Sequence, residues 1–216
     1  MNPVKRAARV ASFLALLLLV LLNLGTIALV LDSGHVSAEA TKEAFTAMQE
    51  YQRRNPASEP PRTLAVIDYS QPSFTKRMAI IDLKTGRQSF YRVAHGKNSG
   101  ELYARQFSNT PESNMSSLGL FRVGERYCGD HGLALRLDGL DSLRNGNAAK
   151  RDIVLHQAGY VSIPYILLNT LTFQGPRIGR SNGCFVVSKS EIDEVVGKLW
   201  NGGFIYAWAP ENDNSR

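Results

Sequence analysis

An uncharged, apolar run of 22 residues extends from Val10 to Leu31, near the N-terminus of this 216-residue chain. Three basic residues precede the run: Lys5, Arg6 and Arg9. A run of this length can cross a bilayer as a helix, and a basic head followed by an apolar stretch is typical of an export signal. We therefore expect residues 1–40 to be a signal peptide or an N-terminal membrane anchor.

The residues that follow the run leave both fates open. Val36-Ser37-Ala38 and Ala38-Glu39-Ala40 each fit the small-x-small pattern of a cleavage site. If the segment is not cleaved, residues 10–31 anchor the chain in the inner membrane. In both cases the basic head stays in the cytoplasm and the rest of the chain is exported, to the periplasm or cell envelope.

The composition and charge of the chain exclude some classes of protein and of binding partner. The chain is 44% hydrophobic and 20% charged, which excludes a disordered tail, and its formal net charge is +6. The basic residues are spread along the sequence and form no Lys/Arg run, so nucleic-acid binding is not expected. A mildly basic exported protein is suited to an anionic polymer such as the cell wall.

The hydrophobic pattern predicts a mainly β domain with one or two packing helices. A helix at Ala40–Arg54 and a proline-containing break at Asn55–Pro61 make residues 41–61 a helix and linker, and residues 62–210 the domain. Strands are expected at Leu64–Ile67, Met78–Leu83, Ser89–Val93, Gly119–Val123, Leu133–Leu137, Ile153–Leu155 and Phe204–Trp208.

A second helix and two long loops complete this prediction. The helix spans Ser188 to Leu199, where Ser188 and Glu191 have the spacing of a capping box. The loops are Gly96–Ser117 and Ala158–Asn182, and long loops on a β scaffold often carry function.

One histidine and one cysteine are placed for nucleophilic catalysis. His156 follows the apolar strand Ile153–Leu155, and Cys184 follows a glycine-containing turn. A free cysteine is only about 3% thiolate at pH 7, and a neighbouring imidazolium can lower its pKa to about 7 or below. In one interpretation of this spacing, Cys184 is the nucleophile and His156 returns the proton to a leaving amine.

The turn before the cysteine suggests an oxyanion site. Gly183 permits a tight turn, and the backbone N–H groups of Asn182, Gly183 and Cys184 can point together at a developing oxyanion. Ser181 can hold the turn by a hydrogen bond within it.

The residues alone leave other interpretations open. Cys184 can be a small buried apolar residue, or it can form a disulfide with Cys128. A zinc site could use Asp130, His131, His156 and Cys184, although no H-x-H or H-E-x-x-H spacing supports it. Ser73-Phe74-Thr75-Lys76 and Lys84-Thr85-Gly86 imitate serine penicillin-binding motifs, but the second lies in an expected hairpin turn.

The sequence resembles the murein L,D-transpeptidase catalytic-domain family of exported, peptidoglycan-modifying enzymes. The resemblance runs from about residue 64 to 208 and rests on these ordered blocks: Val93–Gly96, Phe107–Pro111, Ser116–Gly119, His131–Gly132, Leu135–Leu140, Ile153–His156 and Gly179–Cys184. It implies an L,D-transpeptidase-like β-sandwich or barrel, with Cys184 as the nucleophile, His156 as the general acid/base and Ser181 as the serine of the motif. It implies no cofactor and no metal.

The resemblance also implies a reaction on peptidoglycan stem tetrapeptides. The thiolate attacks the carbonyl of the diamino acid, D-alanine leaves, and the thioester passes to an amine, giving a 3–3 cross-link, or to water. Arg180 is expected to bind a substrate carboxylate or to form a surface ion pair. His131 is expected to line the pocket or to stabilise the turn at Gly129-Asp130.

Three residues depart from the family pattern. Gln157 replaces the usual glycine after the histidine, Asn182 replaces a histidine or tryptophan, and Phe185 replaces the usual proline. The 28-residue separation of His156 and Cys184 indicates an insertion near Leu167–Gly175. These departures support an alternative, a catalytically degenerate cell-wall-binding module on the same fold.

Overall fold

The computed structural model describes residues 3–31 and 34–210, with side chains given for all of these except 25–31. Residues 1, 2, 32 and 33 of the expected export segment lie outside this part, as do residues 211–216. Within it, the apolar run forms helix α1, Pro3–Leu31. The segment Pro3–Leu24 is exposed, with a mean hydropathy of 2.2, and is long and apolar enough to cross a membrane. This helix fits the expected signal peptide or anchor.

Helix α2, Ala38–Arg54, begins where Ser37 caps it. The Ser37 hydroxyl accepts a hydrogen bond from the Ala40 N–H, which satisfies one of the unpaired amides at the helix start. The apolar positions Ala40, Ala44 and Met48 recur at helical spacing and are buried against the sheet. The helix predicted for this region is confirmed.

A single eight-stranded sheet forms the domain, with spatial order β3-β2-β1-β8-β4-β5-β6-β7. The strands are β1 Thr63–Asp68, β2 Met78–Asp82, β3 Gln88–Tyr91, β4 Gly119–Gly129, β5 Gly132–Gly139, β6 Val154–Gln157, β7 Phe185–Val187 and β8 Gly203–Trp208. All seven strands predicted from the sequence are present, and the turn at Lys84–Arg87 joins β2 to β3 as expected.

The two edges of the sheet approach each other. Directly after β3, the Ala94 N–H donates to the Val186 carbonyl of β7 at 2.8 Å, and Gly96 forms a bridge with Ser181. The chain that leaves one edge strand is therefore bonded to the opposite edge, and the sheet is nearly closed. The expected mainly β, barrel-like fold is confirmed.

Helices cover both faces of the sheet. Along β1, Ala65 and Ile67 point into the main core, which contains helix α4, Ile192–Leu199, whereas Leu64 and Val66 point towards α2. Successive side chains of a strand face opposite sides, so the unbroken apolar run of β1 is explained by burial on both faces.

Two details differ from the prediction. The Ser188 hydroxyl donates to the Glu191 carboxylate at 2.7 Å instead of capping a backbone amide, so α4 begins only at Ile192. The expected loop Ala158–Asn182 contains a further helix, α3, Ile163–Leu171, which Ser162 caps. The sequence does not predict α3, because its apolar residues form a run without a helical period.

Candidate active site

The parallel pairing of β6 with β7 brings the histidine and the cysteine together. Leu155 pairs with Phe185 and His156 with Val186, so Cys184 stands beside Val154, two positions from His156 on the neighbouring strand. Side chains two positions apart on a strand point to the same face. Both residues line one cleft of about 570 Å³, together with His131, Tyr160, Arg180, Ser181 and Asn182. The structure therefore gathers every site residue predicted from the sequence in or beside one cleft.

Ser181 makes two hydrogen bonds within the turn before Cys184. Its hydroxyl donates to the Cys184 carbonyl at 2.7 Å and accepts from the Gly183 N–H at 3.1 Å. These bonds fix the turn from inside. They also occupy the Gly183 N–H, so the expected oxyanion site is left with the N–H groups of Asn182 and Cys184.

Gly183 allows the turn to sit close to its neighbours. Its φ of +125° is a conformation that residues with a Cβ rarely adopt. A Cβ here would lie 2.8 Å from the Met115 carbonyl oxygen and 3.1 Å from Nη2 of Arg151. Both the backbone conformation and the lack of space require glycine.

The guanidinium of Arg151 lies beside Gly183, in the turn before Cys184. This arginine was not singled out from the sequence. Its guanidinium donates to the carbonyls of Ser108 and Met115, both at 2.6 Å, and to the hydroxyls of Ser113 and Ser117. It thereby ties the expected loop Gly96–Ser117 to the strand that carries His156. No local motif marks this arginine, because its partners lie 34 to 43 residues away.

The thiol of Cys184 is partly buried, and its Sγ donates to the Asp152 carbonyl at 3.4 Å. Burial raises the pKa of this thiol, although the Val154 N–H and the Arg151 charge act in the opposite direction. This differs from the low pKa expected from the sequence. The cause is desolvation, which disfavours the thiolate and raises the pKa of the thiol.

The surroundings of His156 favour its neutral form by lowering its pKa. Burial lowers the pKa of His156, the nearby His131 lowers it further, and its hydrogen bond to Gln157 acts in the opposite direction. Nδ1 lies 3.0 Å from the Gln157 carbonyl oxygen, which can only accept, so Nδ1 carries the proton and Nε2 keeps its lone pair. The ring of exposed His131 stacks on the ring of His156.

Tyr160 is a second cleft residue that the sequence did not single out. Burial, with Cys184 nearby, raises the pKa of Tyr160 to about 12, so its hydroxyl remains a hydrogen-bond donor. The Tyr160 carbonyl also accepts a hydrogen bond from the Gly179 N–H. This bond joins the two ends of the segment that contains α3.

Arg180 lies at the cleft, but its guanidinium is already engaged. It forms an ion pair with Glu101 and donates to the carbonyls of Lys97 and Gly100. Of the two roles expected for Arg180, these contacts match the ion pair, and carboxylate binding stays a prediction.

A set of buried polar side chains lies behind the turn that precedes Cys184. Arg77 donates to Nδ1 of His95 at 2.7 Å, which leaves Nε2 of His95 to donate to the Gly100 carbonyl. The His95 carbonyl in turn accepts from the Ser181 N–H at 2.9 Å. Burial, with the Arg77 charge adjacent, lowers the pKa of His95 to about 3. His95 is therefore a neutral link between Arg77 and the turn.

Cys128 and Cys184 are both free thiols, so the disulfide considered from the sequence is not formed. Cys128 is exposed. In residues 3–31 and 34–210, no three His, Cys, Asp or Glu side chains are grouped as metal ligands.

Comparisons with known proteins agree with the resemblance seen in the sequence. A family model described as an L,D-transpeptidase catalytic domain matches residues 32–208. A comparison with curated proteins gave no match. Among solved structures, an L,D-transpeptidase from Mycobacterium tuberculosis H37Rv is 12% identical with a TM-score of 0.41, and one from Mycobacterium smegmatis is 13% identical with a TM-score of 0.41.

L,D-transpeptidase 3 from Mycobacterium tuberculosis, in complex with a faropenem-derived adduct, is 12% identical with a TM-score of 0.41. These matches cover 68%, 69% and 68% of this chain, in the order given. The chain spans only 58%, 59% and 60% of their respective lengths.

Proposed function

Because the chain belongs to the L,D-transpeptidase catalytic domain family, we propose that it is a cysteine-dependent peptidoglycan L,D-transpeptidase. The observation that carries this proposal is that one cleft contains both His156, on β6, and Cys184, directly before the adjacent parallel strand β7. Its substrates are peptidoglycan stem tetrapeptides, and it needs no metal, cofactor or nucleic acid. It acts outside the cytoplasm, with α1 as signal peptide or membrane anchor.

The reaction starts from a neutral pair. Nε2 of His156 accepts the proton of the Cys184 thiol as Sγ attacks the carbonyl carbon of the diamino acid. The N–H groups of Asn182 and Cys184 stabilise the oxyanion. The bond between the diamino acid and D-alanine breaks, and His156 gives its proton to the leaving amine, which leaves a thioester on Cys184.

The second half restores the enzyme. An amine of another stem peptide attacks the thioester, an amide bond forms, and the thiol regains its proton through His156. Water in place of the amine would give L,D-carboxypeptidase activity. The Tyr160 hydroxyl, which stays protonated, is placed at the cleft to donate a hydrogen bond to the substrate.

The test compares the two cysteines of the full chain. Purified in detergent and incubated with tetrapeptide muropeptides, the parent should release D-alanine and form 3–3 cross-linked products. Cys184→Ala should reduce D-alanine release by at least about 10³-fold. Cys128→Ala, the matched control, should leave it unchanged, because Cys128 is exposed and lies outside the lining of the cleft. Release that persists in Cys184→Ala would overturn the proposal.

The second candidate is a cell-wall-binding module without catalysis. One observation favours it: burial raises the pKa of the Cys184 thiol, as in an inert cysteine. Intact-mass spectrometry after exposure to a carbapenem, with Cys128→Ala as the parent, separates the two candidates. An adduct on Cys184 supports the enzyme. The absence of both an adduct and D-alanine release, with binding to peptidoglycan retained, supports the module.

A further inference from the structure

Helix α3 buries two polar residues beside the apolar Ile166, which is fully buried. Asn169 and Thr170 are buried, where the Asn169 amide donates to the Arg177 carbonyl at 2.9 Å and the Thr170 hydroxyl donates to the Ile166 carbonyl at 3.0 Å. A surface helix in water normally buries apolar side chains and exposes polar ones. Because α3 buries two polar residues and leaves apolar residues exposed on its outer side, that outer side suits apolar surroundings.

The outer side of α3 and the turn after it carries four large apolar side chains, which we call the α3 face. Their exposed fractions are 37% for Ile163, 55% for Leu168, 40% for Leu171 and 89% for Phe173. Apart from α1, the described part of the chain exposes only three other large apolar side chains: Tyr103, Leu143 and Trp200. The α3 face is thus the main concentration of exposed apolar surface on the domain.

Helix α1 indicates what covers this face. α1 contacts α3, and its segment Pro3–Leu24 is long and apolar enough to cross a membrane. The four side chains of the α3 face remain exposed although α1 is present, so α1 itself does not cover them. A helix of this length and apolarity is most stable inside a bilayer, and an element in contact with it lies at the bilayer.

We propose that the α3 face inserts into the surface of the lipid bilayer that α1 enters, so that two elements hold the domain against the membrane. The α3 face belongs to the segment between His156 and Cys184. Tyr160 and Arg180 flank this face in sequence, and both line the catalytic cleft. Insertion of α3 therefore fixes the orientation of the cleft relative to the bilayer. The inference requires that α1 is retained and does not depend on the reaction.

The experiment places an indole on the face. The full chain with Phe173→Trp is reconstituted in vesicles of phosphatidylethanolamine and phosphatidylglycerol, with and without bromine atoms on the acyl chains. Leu143→Trp is the matched control, since Leu143 is 86% exposed on the same anchored chain but outside the α3 face. The unsubstituted chain gives the contribution of Trp200 and Trp208. Both positions are highly exposed, so neither substitution disturbs the core.

Insertion predicts that brominated lipid quenches the added fluorescence at position 173 by at least about twofold and leaves position 143 unaffected. Equal quenching at both positions would overturn the proposal, as would an unquenched indole at 173 with the emission of one in water. A third result would also overturn the proposal: the emission of the indole at position 173 is shifted to the blue but is not quenched, and the shift disappears when the protein is diluted among more vesicles. That result would mean that a second copy of the chain covers the α3 face.

Discussion

The rings of His131 and His156 stack with their centroids 4.7 Å apart and their planes inclined by 22°. This contact places a second imidazole, exposed to solvent, directly against the proposed catalytic base. The stack shields one face of His156 from water. A positive charge on His131 would also oppose a positive charge on His156, so the two rings together favour the neutral base that the proposed reaction needs.

Replacing His131 should move the pH profile of the proposed reaction. In His131→Ala, His156 loses a neighbour that lowers its pKa and gains water, and both changes raise that pKa. The acid limb of kcat/KM should move to higher pH by up to about one unit. His35→Ala, which removes an exposed histidine elsewhere, is the control and should leave the limb in place. An unchanged limb in His131→Ala would show that the stack does not tune the base.

Arg151 should control the acidity of Cys184. The variants are made in a Cys128→Ala background, so that only Cys184 reacts. Arg151→Met removes a charge that favours the Cys184 thiolate. The pH midpoint of thiol alkylation should therefore rise by up to about one unit. Arg151→Lys keeps the charge but loses the forked hydrogen bonds, so its midpoint should stay close to the parent. The surface control Arg144→Met should have no effect. Equal midpoints for the methionine and lysine variants at Arg151 would contradict the electrostatic role.

Gly183→Ala should destabilise the protein and stop D-alanine release. The positive φ and the 2.8 Å approach to the Met115 oxygen both act against a Cβ, for a loss of about 2 to 4 kcal/mol in the free energy of unfolding. Gly86→Ala is the control for the backbone contribution to this loss of stability. Gly86 also has a positive φ, of 72°, but no atom lies within 4 Å of the carbon that the substitution adds. Urea unfolding of the full chain in detergent measures both. A loss at Gly183 no larger than that at Gly86 would mean that the close approach costs nothing.

His95 should make stability depend on pH. The folded pKa of about 3 lies below the ordinary 6.5, so as pH falls from 6.5 towards 3 the unfolded chain binds a proton that the folded chain does not. The resulting stabilisation is complete above pH 6.5 and is lost at up to about 1.4 kcal/mol per pH unit within this window. His95→Gln should be less stable at pH 7 but should have a slope shallower by up to one proton. A slope equal to that of His35→Ala would show that His95 does not carry this dependence.

The sequence predicted an element correctly wherever a single local pattern of apolar residues determines its secondary structure. The strands around Leu64–Ile67 and Phe204–Trp208 are short apolar runs, and the helix at Ala40–Arg54 has a clear period. The sequence singles out His156 after an apolar run and Cys184 after a glycine-containing turn, and the pairing of β6 with β7 brings the two residues into one cleft.

The remaining features depend on contacts between distant segments. Arg151 acts on residues of an irregular loop, and the neutral state of His156 follows from burial, which no local motif reports. The same burial overturned the expected thiolate at Cys184. Helix α3 was not predicted because its apolar residues form a run without a helical period, and its buried side contains Asn169 and Thr170 as well as Ile166.

The position of β8 has a consequence for an exported chain. β8 is the last strand in sequence but lies in the middle of the sheet, parallel to β1 and antiparallel to β4. A chain that crosses the membrane from its N-terminus delivers Cys184 before Gly203–Trp208, while the two halves of the sheet still lack the strand that joins them. If the chain is exported as proposed, the surroundings of Cys184 are therefore complete only after Gly203–Trp208 has also crossed the membrane.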